Sequence, residues 1–312
     1  MEKLTAKKLK IIFIGIPDMA LVCLENLVRC GFNIIAVVPP KKNHETFNFF
    51  KNFVQSKNIE FLEFENSPND IEYCEKIKAL NADIGVVCSY NSRFSKDFLS
   101  TTKMGYINCH PSLLPQYRGA APYFHVVKNN EKFSGITLHF MDETFDTGDI
   151  VYQEKFEILP DETMGTLFNR TTYMLSNALV KVLGDLEKTG EIKRYPQPKG
   201  EFNLAPKVNG NFRLRWHHHA SELECLIRAC NPFYNAFCGF RGTTLKIIKA
   251  KIILKEHNLE FGTIASSNDK ELLIAVKGGF LSPEVMSFAT WGYFTPESFY
   301  NTFSPQVGEH LD

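Results

Sequence analysis

The sequence predicts an α/β protein: a mostly parallel sheet wound with helices, followed by a small, mainly β, barrel-like C-terminal domain. Three observations predict it. Short apolar runs rich in β-branched residues alternate with amphipathic stretches through residues 1–190, as buried parallel strands and their crossover helices do. From 191 to 211 the stretch "EIKRYPQPKGEFNLAPKVNGN" turns rich in Pro, Gly, Asn and Lys, the composition of a linker. Beyond it, over 212–312, short strand-like runs dominate.

The elements follow in order. "KIIFIG" (10–15) reads as a buried strand. A helix follows in "IPDMALVCLENLVRCG", with Leu21, Leu24 and Leu27 at helical spacing, Asp18 near its start and Gly31 as its stop. "NIIAVV" (33–38) completes a βαβ unit. "TFNFFKNFVQSKN" reads as a helix, "EFLEF" as a short strand and "DIEYCEKIKALN" as a helix. "DIGVVCSY" (83–90) and "GYINC" (105–109) are the next buried strands. "GITLHFMD" (135–142) and "DIVYQEKFEI" (149–158) look like a pair of more exposed strands, and a long amphipathic helix ends at Gly190. In the last part "ASELECLIRAC" is a helix. "TTLKIIKAKIILKE", "FGTIASS", "ELLIAVKGGFLSPEVMSFATW" and "YFTPESFYNTF" read as short strands and a terminal turn.

At 312 residues with 44% apolar and 22% charged, the chain has the material for a large core. Lys plus Arg number 35 and Asp plus Glu 35, so no global basic field exists, which argues against non-specific nucleic-acid binding but leaves room for a local patch. The eight cysteines contain no CxxC pair and lie mostly in apolar segments, as reduced thiols of a cytoplasmic protein would. The apolar run after the charged N-terminus is too short to span a membrane and lacks a small-residue cleavage pattern. No membrane partner is expected.

Ligands of open parallel sheets bind outside the carboxyl ends of the strands. Asn108 and His110 fall at the end of one predicted strand, and Ser89, Tyr90 and Asn91 at the end of another. The loop "MDETFDTGD" (141–149) carries Asp142, Glu143, Asp146 and Asp149. An amide, an imidazole and a carboxylate are what acyl transfer to an amine requires: an oxyanion donor, a proton carrier near neutral pH, and a group that fixes the imidazole. Spacing alone does not separate this from a polar strand exit, and Asp146 reads first as a turn residue before Gly148.

"NCHPSLLPQYRGAAP" followed by "GITLHFMDETFDTGDIV" resembles the signature of the folate-dependent formyltransferases. "KIIFIGIPDMA", "RGAAP", "LAPKV" and "LRWHHHASELECLIRACNPF" are similar to methionyl-tRNA formyltransferases, so the resemblance covers nearly the whole chain. It implies a Rossmann-like formyltransferase fold, 10-formyltetrahydrofolate as formyl donor, no metal, and Asn108, His110 and Asp146 as the catalytic residues. In that scheme Asn108 holds the formyl oxygen, and Asp146 keeps His110 charged. The resemblance also implies a donor site formed by Cys88, Ser89, Tyr90, Arg93, Phe94, His139, Asp142 and Thr144, largely through backbone groups. Ser112 and Arg118 belong to the signature, with substrate contact or loop positioning as their roles, and Leu113-Leu114-Pro115 as a rigid wall.

The acceptor is read from departures. Methionyl-tRNA formyltransferases carry a long basic loop after the second strand, where this chain has only "PPKKNHETF". "CSYNSRF" looks like the enzymes that formylate an amino sugar on a nucleotide. A nucleotide-linked amino sugar is therefore the first expectation and initiator methionyl-tRNA the second, with Tyr90, Lys41 and Lys42 as acceptor contacts. A 10-formyltetrahydrofolate hydrolase and a non-catalytic folate-binding protein are the other classes, and self-association into a homo-oligomer stays open. "HHH" (217–219) cannot turn three rings to one metal from a strand. "FNFF" reads as core or groove lining, and Trp216 and Trp291 as anchors of the last domain.

Overall fold

The computed structural model describes residues 8–90, 92–289 and 292–312; Asn91 and Trp291 lie outside them. The chain divides into two compact units. The first runs up to Pro122 and takes in Phe133–Glu157 and Phe168–Pro206; the second is Tyr123–Lys132, Ile158–Leu167 and Lys207–Asp312. Among the described residues no helix is long and apolar enough to cross a membrane.

The first unit is built on seven strands: β1 (Lys10–Gly15), β2 (Asn33–Val38), β3 (Glu60–Phe61), β4 (Ile84–Cys88), β5 (Tyr106–His110), β6 (Phe133–Phe140) and β7 (Ile150–Glu157). Their order is β3-β2-β1-β4-β5-β6-β7, parallel as far as β5 and antiparallel at β6 and β7. Covered on both faces, β1 and β4 have no solvent side to mark with polar residues, hence their unbroken apolar runs. Its helices are α1 (Met19–Arg29), α2 (Phe47–Ser56), α3 (Ile71–Ala79) and α4 (Lys96–Leu99); α5 (Pro122–Lys128) belongs to the second unit from Tyr123 on, and α6 (Met164–Thr189) to the first from Phe168 on. α1 buries Met19, Ala20, Cys23, Leu24 and Leu27 and stops at Gly31, whose φ of 81° only glycine takes without strain.

Two expectations change. The segment expected as "EFLEF" pairs only over Glu60–Phe61. β6 is an inner strand between β5 and β7 and is buried along seven of its eight residues, so beyond Phe133 the solvent-facing positions of the pair fall on β7.

β5 sets the face that matters. Its side chains alternate, so Tyr106, Asn108 and His110 project to one side and Ile107 and Cys109 to the other. Tyr106 packs against Phe98 at 5.2 Å between ring centroids and shares its hydroxyl with Thr101 Oγ1 at 2.6 Å. Gly85 leaves the space, since a Cβ there would stand 2.0 Å from the Tyr106 ring. On the opposite side Cys109 Sγ lies 3.2 Å from Cys88 Sγ, and all eight cysteines are free thiols.

The second unit holds α7 (Ala220–Cys230) and the antiparallel strands β8 (Ala236–Phe240), β9 (Thr243–Ile253), β10 (Ile264–Ser267), β11 (Leu272–Val276), β12 (Gly279–Phe288) and β13 (Tyr293–Phe294). The order is β10-β11-β12-β9-β8, with β13 on β12. The chain end closes it: Asp312 exchanges two backbone hydrogen bonds with Gly239 on β8, while Glu309 and Leu311 bond to the β10 edge at Ile264 and Gly262. This makes the barrel-like form out of an open sheet. Trp216 anchors the same end, donating from Nε1 to the Leu311 carbonyl at 2.7 Å. Of the three adjacent histidines, His219 caps α7 in a capping box with Glu222 and His218 pairs with Glu222 at 3.1 Å. The expected terminal turn is a helix, α8 (Pro296–Phe303), which buries Phe299 against Phe240 and Phe288.

Candidate active site

Four polar side chains meet on the Asn108 side of β5. Register sets two of them, since Asn108 stands directly opposite His139 on β6. His110 lies two residues along the same face, and Asp146 reaches in from the loop between β6 and β7, in a left-handed conformation (φ 57°) that Asp tolerates better than most residues. Asp146 Oδ1 lies 3.3 Å from Asn108 Nδ2, 3.4 Å from His139 Nε2 and 3.6 Å from His110 Nδ1, while Oδ2 accepts from the Gly119 N–H at 2.9 Å. Asn108 Nδ2 also meets His139 Nε2 at 3.1 Å, and His139 Nδ1 donates to the Phe140 carbonyl at 2.8 Å. Both amide protons of Asn108 are thus engaged.

The charges follow from burial and these contacts. Burial raises the Asp146 carboxyl, but His110, His139 and the Gly119 N–H more than offset it and hold the group well below the ordinary carboxylate range. The Gly119 and Asn108 donors act whatever the charge of the rings. Burial pushes His110 below the ordinary imidazole value of 6.5, against the pull of Asp146 and the Tyr117 carbonyl. The charged ring expected from the sequence is therefore corrected: desolvation favours a neutral imidazole at rest. Its Nε2–H donates to the Tyr117 carbonyl at 2.9 Å, which leaves the Nδ1 lone pair on the Asp146 side.

The signature residues around this cluster build its walls. Ser112 is fully buried and donates to the Gln116 carbonyl at 2.7 Å, so it closes the turn and is out of a substrate's reach. Thr137 donates to the Ser112 carbonyl at 2.6 Å and, with Gln153 on the Leu114 carbonyl at 2.9 Å, fixes the Leu113-Leu114-Pro115 wall. Arg118 aims its guanidinium at Gln197 Oε1, at 2.6 and 3.2 Å. Gly119 has φ 124°, and a Cβ there would stand 2.4 Å from the Ala205 carbonyl oxygen. Gly119→Ala is expected to cost about 2 kcal/mol or more, read as a lower thermal midpoint, with turnover falling alongside because the Gly119 N–H that holds Asp146 moves.

A narrow cleft of about 50 Å³ opens beside the cluster. Of the residues implied as donor contacts, Tyr90, Arg93, Phe94, His139, Asp142 and Thr144 line it. Cys88 does not: its thiol is buried on the far side of β4 against Cys109, so only its backbone faces the strand end. Ser89 lies outside the lining, with its carbonyl accepting from the Ile16 N–H at 3.2 Å. Val87, Met141 and Phe145 line the cleft without having been singled out, and Arg93 lies over the Phe145 ring at 4.3 Å. Asp142 Oδ1 is taken up within its own loop by the Thr144 N–H at 2.9 Å and the Thr147 hydroxyl at 2.7 Å. Tyr90 donates to the Pro39 carbonyl at 3.2 Å, and Lys41 and Lys42 follow as exposed side chains.

Comparison with known proteins bears on this geometry. Residues 10–183 match the family described as Formyl transferase, and residues 208–304 match Formyl transferase, C-terminal domain. The methionyl-tRNA formyltransferase of Orientia tsutsugamushi is 31% identical over 281 residues, covering 88% of this chain and 90% of that protein. The methionyl-tRNA formyltransferase of Dictyoglomus turgidum is 34% identical over 283 residues, covering 88% and 90%. Among solved structures, an N-formyltransferase from Helicobacter canadensis, in complex with folinic acid and dTDP-3-aminofucose, superposes with a TM-score of 0.68 at 20% identity over 88% of this chain and 98% of that one. Matched along both units by these profiles, the chain belongs to the formyl transferase family.

Proposed function

We propose that this protein transfers the formyl group of 10-formyltetrahydrofolate to the primary amine of a nucleotide-linked amino sugar. The observation that carries the transfer is the convergence of Asn108, His110 and Asp146 on one face of β5. When bound, the donor supplies an electrophilic formyl carbon. The apolar walls of Val87, Phe94 and Met141 suit a flat ring, and the cleft of about 50 Å³ is far smaller than a small-molecule site of several hundred Å³. Admission of the donor therefore requires the 141–146 loop, its outer wall, to move.

The chain's own groups then divide the work. The acceptor nitrogen forms a bond to the formyl carbon and loses a proton to His110 Nδ1, where Asp146 balances the new charge. Asn108 gives up its longer contact, the 3.3 Å one to Asp146, and turns that proton toward the developing oxyanion. His110 returns its proton to the departing nitrogen as the old carbon–nitrogen bond breaks, so protons balance over the cycle.

The acceptor reading rests on the connection between β2 and α2, which is only residues 39–46 and carries just Lys41 and Lys42 as cations. That suits a few phosphates better than a polynucleotide. Initiator methionyl-tRNA is the second reading. The names of the 31–34% identical relatives favour it. So does a cavity of about 610 Å³ in the second unit, lined by Lys128, Lys207, Arg215 and the rings of Phe124 and Phe212.

The test is a panel of nucleotide-linked amino sugars run beside charged initiator tRNA, with release of tetrahydrofolate as the readout. Turnover confined to charged tRNA overturns the sugar reading; equal turnover without acceptor means hydrolysis, and none with any acceptor means a binding role. Replacing Lys41 and Lys42 together by Ala is expected to raise the acceptor KM roughly 5-fold at low ionic strength and much less in 0.5 M salt. An unchanged KM at low salt removes both lysines from the acceptor site.

A further inference from the structure

We infer that Gln197 is a positioning residue for the Asp146 turn, and that Arg118 acts through it rather than on substrate. The inference rests on the catalytic role proposed for Asp146. Gln197 lies in the stretch expected from the sequence to be a linker, yet its side chain spends every polar bond on the site. Nε2 donates to the Asp146 carbonyl at 2.9 Å and to the Gly148 carbonyl at 2.8 Å. Oε1 accepts from Arg118 Nη2–H at 2.6 Å and from its Nε–H at 3.2 Å. An amide has two donor protons and two lone pairs, and here all four are used.

The backbone on either side is pinned to the same two loops. Tyr195 exchanges hydrogen bonds with Ile150 at 2.8 and 2.9 Å, just past the Asp146 turn. Asn203 and Ala205 hold the other catalytic loop: the Tyr117 N–H donates to the Asn203 carbonyl at 2.6 Å, and the Ala205 N–H donates to the Arg118 carbonyl at 2.8 Å. Residues 195–205 are therefore a strap across the loops that carry Tyr117, Gly119 and Asp146, and Gln197 is the side chain by which it hydrogen-bonds to the turn of the carboxylate itself.

The need for such a clamp is local. Asp146 sits at φ 57°, and its carboxylate makes four contacts of 2.9–3.6 Å that a small rotation of the turn breaks together. A neutral amide fits where a charged side chain does not, because the turn offers two carbonyl oxygens and Arg118 already supplies the cation. Arg118, with its Nε–H and one Nη2–H on Gln197 Oε1, stiffens the amide that holds the turn.

Three variants test this: Gln197→Ala, Gln197→Glu and Arg118→Ala, with the double variant Arg118→Ala/Gln197→Ala. Gln197→Ala is expected to lower kcat about 10- to 50-fold with the donor KM within 2-fold of wild type. Gln197→Glu keeps an acceptor for Arg118 and loses the two donations, so it is expected to fall as far even if the alanine variant folds poorly. The double variant is expected to be no slower than Gln197→Ala alone.

The pH profile separates positioning from mere loss of folded protein. His110 is faced by Asp146, His139 and Arg118, and only Asp146 pulls its pKa upward among them. A displaced Asp146 moves the acid limb to lower pH, whereas a smaller active fraction leaves it in place. A kcat within 2-fold of wild type for both Gln197 variants overturns the proposal, as does an unshifted acid limb. Multiplying losses in the double variant overturn the route through Arg118. Asp146→Asn, assayed alongside, separates the two levels: full activity there removes the catalytic reading itself, while an inactive Asp146→Asn with full-rate Gln197 variants removes only the clamp.

Discussion

His110→Gln lowers turnover by about 10³-fold while leaving donor binding within a few-fold of wild type. The ring is 3% exposed and its Nε2–H serves the Tyr117 carbonyl, so a plain truncation would both empty a packed site and strand that carbonyl. Glutamine keeps a donor near the Tyr117 carbonyl and most of the volume. What it cannot do is accept a proton at the Nδ1 position beside Asp146. The comparison with His110→Ala then divides the effect: both variants lose the chemistry, and only the alanine variant loses about 1–2 kcal/mol of stability as well. Single-turnover measurement with saturating donor and acceptor reads the chemical step directly. Formyl transfer by His110→Gln at more than a tenth of the wild-type rate would falsify proton transfer through this ring.

The two histidines and the strap differ in how they could be read from sequence. His110 was legible because β5 is a short apolar run whose polar residues fall at i and i+2, and a period of two puts both on one face. His139 stands inside the equally apolar "GITLHF" and was implied as a donor contact. Only the antiparallel register, which no local pattern encodes, sets it against Asn108 and Asp146. Asp146 shows the limit more sharply: its loop offers four acidic residues, and nothing in composition selects the one whose left-handed turn carries it back to β5. The long signature selected it instead.

Gln197 had no signal at all. Flanked by Pro196 and Pro198 in a polar stretch, it has the composition of a linker. Its place along the catalytic loops depends on backbone bonds to residues 45 and more positions away. α8 is the contrary case, a helix whose signal was present: Thr295 at the N-cap, Pro296 at the first position and Ser298 completing the capping box. The expectation of a terminal turn passed over those start signals.

Asp146→Asn is the second large effect, and it separates charge from shape. Asparagine keeps the volume and an oxygen for the Gly119 N–H, but it removes the negative charge that balances a protonated His110. Turnover is expected to fall about 10²- to 10³-fold. The pH dependence carries the sign. In the wild type burial already sets the His110 pKa below 6.5, so activity falls on the acid side only as the pH drops below that value. Without the carboxylate only the Tyr117 carbonyl opposes burial, the ring is harder to protonate, and the residual activity of Asp146→Asn holds to lower pH than wild type. A limb moving upward instead would mean that the ring works as an acid and not as the acceptor of the amine proton.

Stability follows the carboxylate itself. Its folded-state pKa is depressed from 3.8, so its contribution is complete above that value and is lost as the pH falls through the folded-state pKa. The stability gap between wild type and Asp146→Asn should therefore narrow from pH 5 toward pH 2 in denaturant melts. A constant gap over that range would mean that Asp146 is held by its shape and its turn alone, and that the His110 ring gains nothing from its charge.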